Sequence, residues 1–233
     1  MTQVYPFHCQ VYLNLKGMEF LKNNWFFFTF FAFWQVVLLI YLFFFPKGQE
    51  FLLLDRFHHV YLDVFFKSIT FLGDWPAYIF ALAVLFTKLK YRAFYVVLLL
   101  SILVPITSYI SKANFKQPRP VHYFQDKPVF NDLQKVVGVV LHTGFSSFPS
   151  GHTMSAFAVF SILAFFASHS KKQIFLFFSL AILVAASRVY LIQHFVEDVW
   201  MGSLMGVMLA YLIFHVFHIF STTSKQSGEG VLQ

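Results

Sequence analysis

The chain has 233 residues, 58% of them hydrophobic and 12% charged, with a mean hydropathy of +0.67. Soluble domains carry about 25% charged residues, and 35 Phe side chains would aggregate in water but suit lipid. The net charge of +7 is scattered between apolar stretches rather than gathered with stacking aromatics, which argues against a nucleic-acid partner; the single Cys9 excludes internal disulfides and cysteine metal clusters.

Residues 1–24 lack a short apolar core followed by a small-residue cleavage site, so they read as a cytoplasmic or interfacial segment ahead of a retained anchor. Residues 25–45 carry no formal charge and suffice to cross a hydrocarbon core of about 30 Å. In 51–88, Asp55, His59, Asp63 and Lys67 recur at i, i+4 with apolar residues between them. That pattern predicts an amphipathic helix lying at the interface, decorated by His58 and His59, with Asp63 and Lys67 paired. Gly73 and Pro76 punctuate the chain, Asp74 reads as a turn residue, and 76–87 forms a short second span.

Further spans are expected at 93–110 (kinked at Pro105), 150–168, 173–187 and 199–220. In the last of these, Gly202, Gly206 and Ala210 form a small-residue stripe for close packing, and His215 and His218 are expected to point inward. Residues 221–233 are polar and read as a disordered tail. The expectation is one all-α membrane domain over 25–220, a polytopic bundle of six transmembrane helices plus the interfacial helix.

With six spans, Lys16, Lys22, Lys88, Lys90, Arg92, Lys171, Lys172 and Lys225 fall on one face. The excess of Lys and Arg makes that face cytoplasmic, together with both termini. The opposite face carries 46–60, the long 111–149 segment and the turn at 188–198. A connection of that length is more often functional than a mere link. Its Lys112, Lys116, Arg119, Lys127 and Lys135 run against the charge bias and call for another explanation.

Polar groups converge at span ends on this face: Lys112 with Arg119-Pro120, then Pro149-Ser150-Gly151-His152, then Ser187-Arg188, His194 and Asp198. Lys112, Arg119 and Arg188 can neutralise a phosphoryl dianion, the arginines through bidentate forks. Ser150 suits a helix N-cap whose free N–H groups form an anion site, and Gly151 lets a phosphate approach the backbone. His194 and Asp198 are four apart, so the carboxylate can hold one ring N–H and leave the other nitrogen to attack phosphorus. His152 can donate the proton to the leaving oxygen. Eight residues before Ser150, His142 is a further residue that could touch substrate. Zinc bound by His194 and Asp198 lacks a third ligand at helical spacing.

The pattern K-x6-RP, PSGH, SR-x5-H-x3-D, spread over residues 112–198, resembles the type 2 phosphatidic acid phosphatase superfamily, with all three motifs complete and in order. The resemblance implies an integral-membrane lipid phosphate phosphatase; the compact chain and short polar tail suggest a bacterial cytoplasmic (inner) membrane, and the Lys and Arg bias puts the site on its outer face. The resemblance also implies a covalent phosphohistidine on His194, His152 as acid, Asp198 as orienting partner and no metal or cofactor. Lys112, Arg119, Ser150, Gly151 and Arg188 would bind phosphate. Two other readings are a transferase, passing the phosphoryl group from His194 to a lipid acceptor, and a transporter. The absence of a carboxylate deep in a span speaks against the latter.

Overall fold

The computed structural model describes residues 19–128, 133–167 and 170–229, with side chains as far as residue 217. In chain order the helices are α1 (Trp25–Phe44), α2 (Gln49–Asp55), α3 (Val60–Ile69), a 3-10 turn (Thr70–Gly73), α4 (Trp75–Leu89), α5 (Arg92–Phe115), α6 (Pro120–Phe124), α7 (Gly151–Phe166), α8 (Lys171–Tyr190) and α9 (Val196–Glu229). The stops are local. Phe45 is extended ahead of Pro46, as a residue before proline tends to be, and this ends α1. Pro120 opens α6, where its missing N–H is harmless. Pro105 lies inside a continuous α5.

The central helix is α7: every residue from Thr153 to Phe165 is buried, as expected of a helix apolar all round. Helices α8 and α9 pack against it. A Cβ at Gly202 would lie 2.7 Å from the Ser150 carbonyl oxygen, and one at Gly206 2.5 Å from that of Met154. Any side chain there would push α9 away, so the small-residue stripe does set the packing distance. By contrast α1 buries little: Phe33, Phe43 and Phe44 are 69%, 83% and 70% exposed, a surface suited to lipid. His215 packs its ring 4.3 Å from Tyr211 and 5.0 Å from Phe20.

Two expectations change. Among the described residues, four helical segments are long and apolar enough to cross a membrane: α1, α5 continued through α6, α8 and the 196–217 part of α9. The pair α3–α4, bent by 62°, raises this to five if counted as one span. The expected fourth span, α7, starts after the Ser150 cap as the sequence suggests but ends at Phe166, so it has only 16 residues, about 24 Å at the helical rise. The architecture is thus an all-α polytopic bundle with four or five full-length spans.

The second change concerns the interfacial helix. The chain turns at 56–59, and the His59 side chain caps α3 by accepting from the Tyr61 N–H (3.4 Å). The polar stripe is therefore split. Asp55 accepts from the Gln134 N–H (2.7 Å), and Lys67 donates to the Val137 carbonyl (3.1 Å). Asp63 bonds His58 (3.0 Å) and the Tyr190 hydroxyl rather than Lys67. The i, i+4 polar spacing serves contacts with the 133–140 loop and α8, not a water-facing side.

The C-terminal end of α5, the start of α7, the end of α8 and the start of α9 meet at one end of the bundle. At the other end Lys88 donates to the Phe166 carbonyl (2.7 Å) and Lys171 lies 5.3 Å from the Trp25 ring. The α9 backbone stays helical over 221–229, where the sequence suggests a polar tail. Residues 1–18 and 230–233 and the His218 side chain lie outside the described part.

Candidate active site

Between α8 and α9 the chain makes a tight turn in which Ile192 adopts φ +54° and the N–H groups of Gln193 and His194 both donate to the Arg188 carbonyl (2.9 and 3.2 Å). His194 therefore precedes α9 rather than riding on it. Asp198, in the first turn of α9, reaches back: its Oδ2 accepts from the Phe195 N–H (2.9 Å) and the Ser147 hydroxyl (2.5 Å), and lies 3.3 Å from His194 Nδ1. The Asp198 carbonyl accepts from the Ser150 N–H (3.0 Å), tying the start of α9 to that of α7. The His194 and Asp198 side chains are 2% and 0% exposed. Burial first, then the charges of Arg188, Arg119 and Lys112, hold the His194 pKa well below the ordinary histidine range. The imidazole is neutral at neutral pH, with Nδ1 engaged and Nε2 as the remaining nucleophilic atom.

The cations are themselves held in place. Arg119 donates through Nε to Ser146 Oγ (3.2 Å) and through Nη1 to the Gln193 carbonyl (3.4 Å). Arg188 donates through Nη1 to Thr70 Oγ1 (2.7 Å), while its buried Nε has no partner among the described residues. A Cβ on Gly151 would stand 3.1 Å from Ser108 Oγ and 3.6 Å from Lys112 Nζ, so the glycine opens the first turn of α7 towards the lysine. The fully buried Ser150 caps that turn, its Oγ accepting from the Thr153 N–H (3.4 Å) and hydroxyl (2.9 Å). All eight residues singled out from the sequence thus gather at this end of the bundle. His142 is exposed on the loop; partial desolvation and Arg119, Arg188 and Lys112 lower its pKa, so it adds little positive charge.

His152, on the first turn of α7, has a partner that the sequence reading missed. Its Nε2 lies 3.0 Å from Asp74 Oδ2. Asp74 does start α4, as a turn residue would, but its carboxylate belongs to the site. A Cβ on Gly73 would fall 2.8 Å from His152 Cβ, so only glycine lets this turn approach. Beside the pair opens a cleft of about 450 Å³ lined by Trp75, Tyr78, Val104, Pro105 and Ser155 among others.

Ser147 and Glu50 were also not singled out. Glu50, 4% exposed, accepts from the Val196 N–H (3.2 Å), the Gly48 N–H (3.0 Å) and the Tyr41 hydroxyl (3.2 Å), and so pins the start of α9 beside His194. Burial pushes its pKa up. A lone carboxylate in an apolar run was the signal for Asp74, whereas Glu50 follows the polar stretch Lys47-Gly48-Gln49 and Ser147 sits only three residues before the Ser150 cap.

A buried, oriented, neutral imidazole beneath a cluster of cations at one end of a membrane bundle is an arrangement chemically able to take part in phosphoryl transfer. The comparisons place the chain more closely. The PAP2 superfamily model matches residues 90–221, more than half of the sequence. Lipid A 4'-phosphatase of Porphyromonas gingivalis is 31% identical over 175 residues, which cover 70% of each chain. Phosphatidylglycerophosphatase B of Bacillus subtilis is 39% identical over 82 residues, 32% of this chain and only 40% of that protein. The crystal structure of Aquifex aeolicus LpxE superposes with a TM-score of 0.59 at 26% identity, over 74% of this chain and 97% of that one. The chain belongs to the PAP2 superfamily.

Proposed function

We propose that the protein is a lipid phosphatase that hydrolyses a phosphate ester or diphosphate carried by a membrane lipid through a phosphohistidine. The observation that carries this reading is His194: buried, its Nδ1 beside Asp198, and kept neutral first by that burial and then by the same cations that would bind phosphate. Nε2 attacks phosphorus and the bond to the leaving oxygen breaks, while His152 supplies that oxygen with a proton. Water then attacks the phosphohistidine and gives a proton back to His152, the P–N bond breaks, and inorganic phosphate leaves. Lys112, Arg119, Arg188 and the N–H groups of the Ser150–Gly151 turn offset the charge that builds on the equatorial oxygens.

Relatives named as a lipid A 4'-phosphatase and a phosphatidylglycerophosphatase favour a lipid substrate. The reading is metal-independent. The fixed cations take the role of a metal, and among the described residues no three His, Cys, Asp or Glu side chains gather as cation ligands. In this reading the membrane domain is 25–220 and the chain crosses six times, with α7 as the short inner span and the α3–α4 pair as a bent one. Lys88, Lys90, Arg92, Lys171 and Lys172 face the cytoplasm of a bacterial inner membrane, and the site faces outward.

The test is phosphate release by purified protein from phosphatidic acid, phosphatidylglycerol phosphate, undecaprenyl diphosphate and a lipid A phosphate, with and without chelator. Release from at least one lipid, unaffected by chelator and blocked by vanadate, is expected. Activity that a chelator abolishes contradicts the mechanism.

A further inference from the structure

The carboxylate of Asp74 is a site feature that phosphate binding and nucleophilic attack leave unused. A negative charge beside a phosphate cradle opposes anion binding, so its position needs a reason. Among the described residues its side chain makes a single hydrogen bond, to His152 Nε2 at 3.0 Å. It does not serve as a pillar of the fold, since the Asp74 and His152 side chains are 46% and 30% exposed. Two backbone features deliver it there. The 62° bend between α3 and α4 falls at this residue, and Gly73 permits contact with His152 that a Cβ would block. The arrangement repeats across the bundle what Asp198 does for His194 within one turn.

We propose that Asp74 is a positioning residue for the leaving-group step: it holds Nε2 of His152 so that Nδ1 delivers the proton to the departing oxygen. This rests on the reading of His152 as the acid. As the P–O bond breaks, the proton passes from Nδ1 to the leaving oxygen; when water attacks the phosphohistidine, Nδ1 takes a proton back. Asp74 remains a carboxylate throughout. The cleft beside the pair, with its apolar wall of Trp75, Val104 and Pro105, is where a lipid alcohol would depart.

A leaving group that needs no proton separates this role from a structural one. Turnover is measured for wild type, Asp74→Asn and Asp74→Glu on the panel lipid hydrolysed fastest and on p-nitrophenyl phosphate, together with inhibition by orthovanadate. For Asp74→Asn, kcat/KM should fall about 10- to 100-fold on the lipid, at or below the low end of the about 10²- to 10⁴-fold that a general acid supplies. This ratio reads only the steps up to the phosphohistidine, which both substrates share thereafter. The loss on the aryl phosphate should be at least about tenfold smaller, because its leaving group departs without protonation. Vanadate should bind the variant at least as tightly, since a negative charge has been removed, and Asp74→Glu should recover part of the lipid turnover. Equal losses on both substrates, or wild-type lipid turnover in Asp74→Asn, overturn the proposal for Asp74 while leaving the phosphatase reading intact. Wild-type protein that releases phosphate from no panel lipid overturns both.

Discussion

The molecule builds a His–Asp pair twice, by opposite means. His194 and Asp198 are four residues apart and sealed, with side chains 2% and 0% exposed, and the carboxylate is also fixed by Ser147 and the Phe195 N–H. His152 and Asp74 are 78 residues apart, joined by one contact and open at the mouth of a cleft. The difference matches the tasks assigned to the two histidines. A nucleophile must stay neutral and hold one line of attack, which burial and neighbouring cations enforce. A group that passes protons between a leaving alcohol and water has to meet both, so it cannot be sealed in. The first pair is therefore rigid by local geometry, while the second depends on the α3–α4 bend keeping its place.

The comparison can be broken at several points. His194→Ala removes the nucleophile and should lower lipid turnover by at least about 10⁴-fold, as loss of a covalent catalyst does; steady-state phosphate release measures it. Asp198→Asn keeps the shape but frees the ring, and should cost about 10³-fold in kcat with little change in vanadate affinity, in line with an orienting carboxylate. If this variant loses no more than Asp74→Asn, the sealed pair has no special role. Ser147→Ala removes one of the bonds that fix Asp198 and should reduce kcat less than about tenfold, the worth of a single hydrogen bond. An unchanged rate would mean that the Phe195 N–H alone holds the carboxylate.

The smallest expected effect is on stability. Unfolded His194 takes up a proton near about pH 6.5, while the folded residue, its pKa held well below that, does not. The unfolded state thus binds more protons in this window, so this residue's contribution falls as pH drops below about 6.5 and is recovered as pH rises through it. In detergent, the Tm of wild type should fall more between pH 7 and 5.5 than that of His194→Gln. Parallel curves would mean that His194 is not held neutral.

Much of the sealed pair was legible because its parts are sequence neighbours: His194, Asp198, Arg188, Ser150 and Gly151 sit in short motifs at fixed spacing. The apolar spans and the Gly202–Gly206 stripe were readable for a similar reason, since helical periodicity is local. The open pair was not legible. Asp74 beside Gly73 carries an ordinary turn signature, and only the folding of the α4 start against α7 brings it to His152. Likewise the i, i+4 run from Asp55 to Lys67 has the spacing of an amphipathic helix but is consumed by tertiary contacts to Gln134, Val137 and Tyr190. Periodicity shows which residues share a side of a helix, but not whether water or another loop lies against it.

The central claim is that His194 becomes covalently phosphorylated. Wild-type protein is mixed with a phosphorus-labelled panel lipid, quenched within milliseconds, and mapped by peptide mass spectrometry under conditions that preserve phosphoramidates. The account predicts label on His194 that is stable to alkali and labile to acid, absent from His194→Ala, and accumulating when water attack is slowed. Rapid lipid turnover with no trapped phosphohistidine, or with label on a residue other than His194, would contradict it.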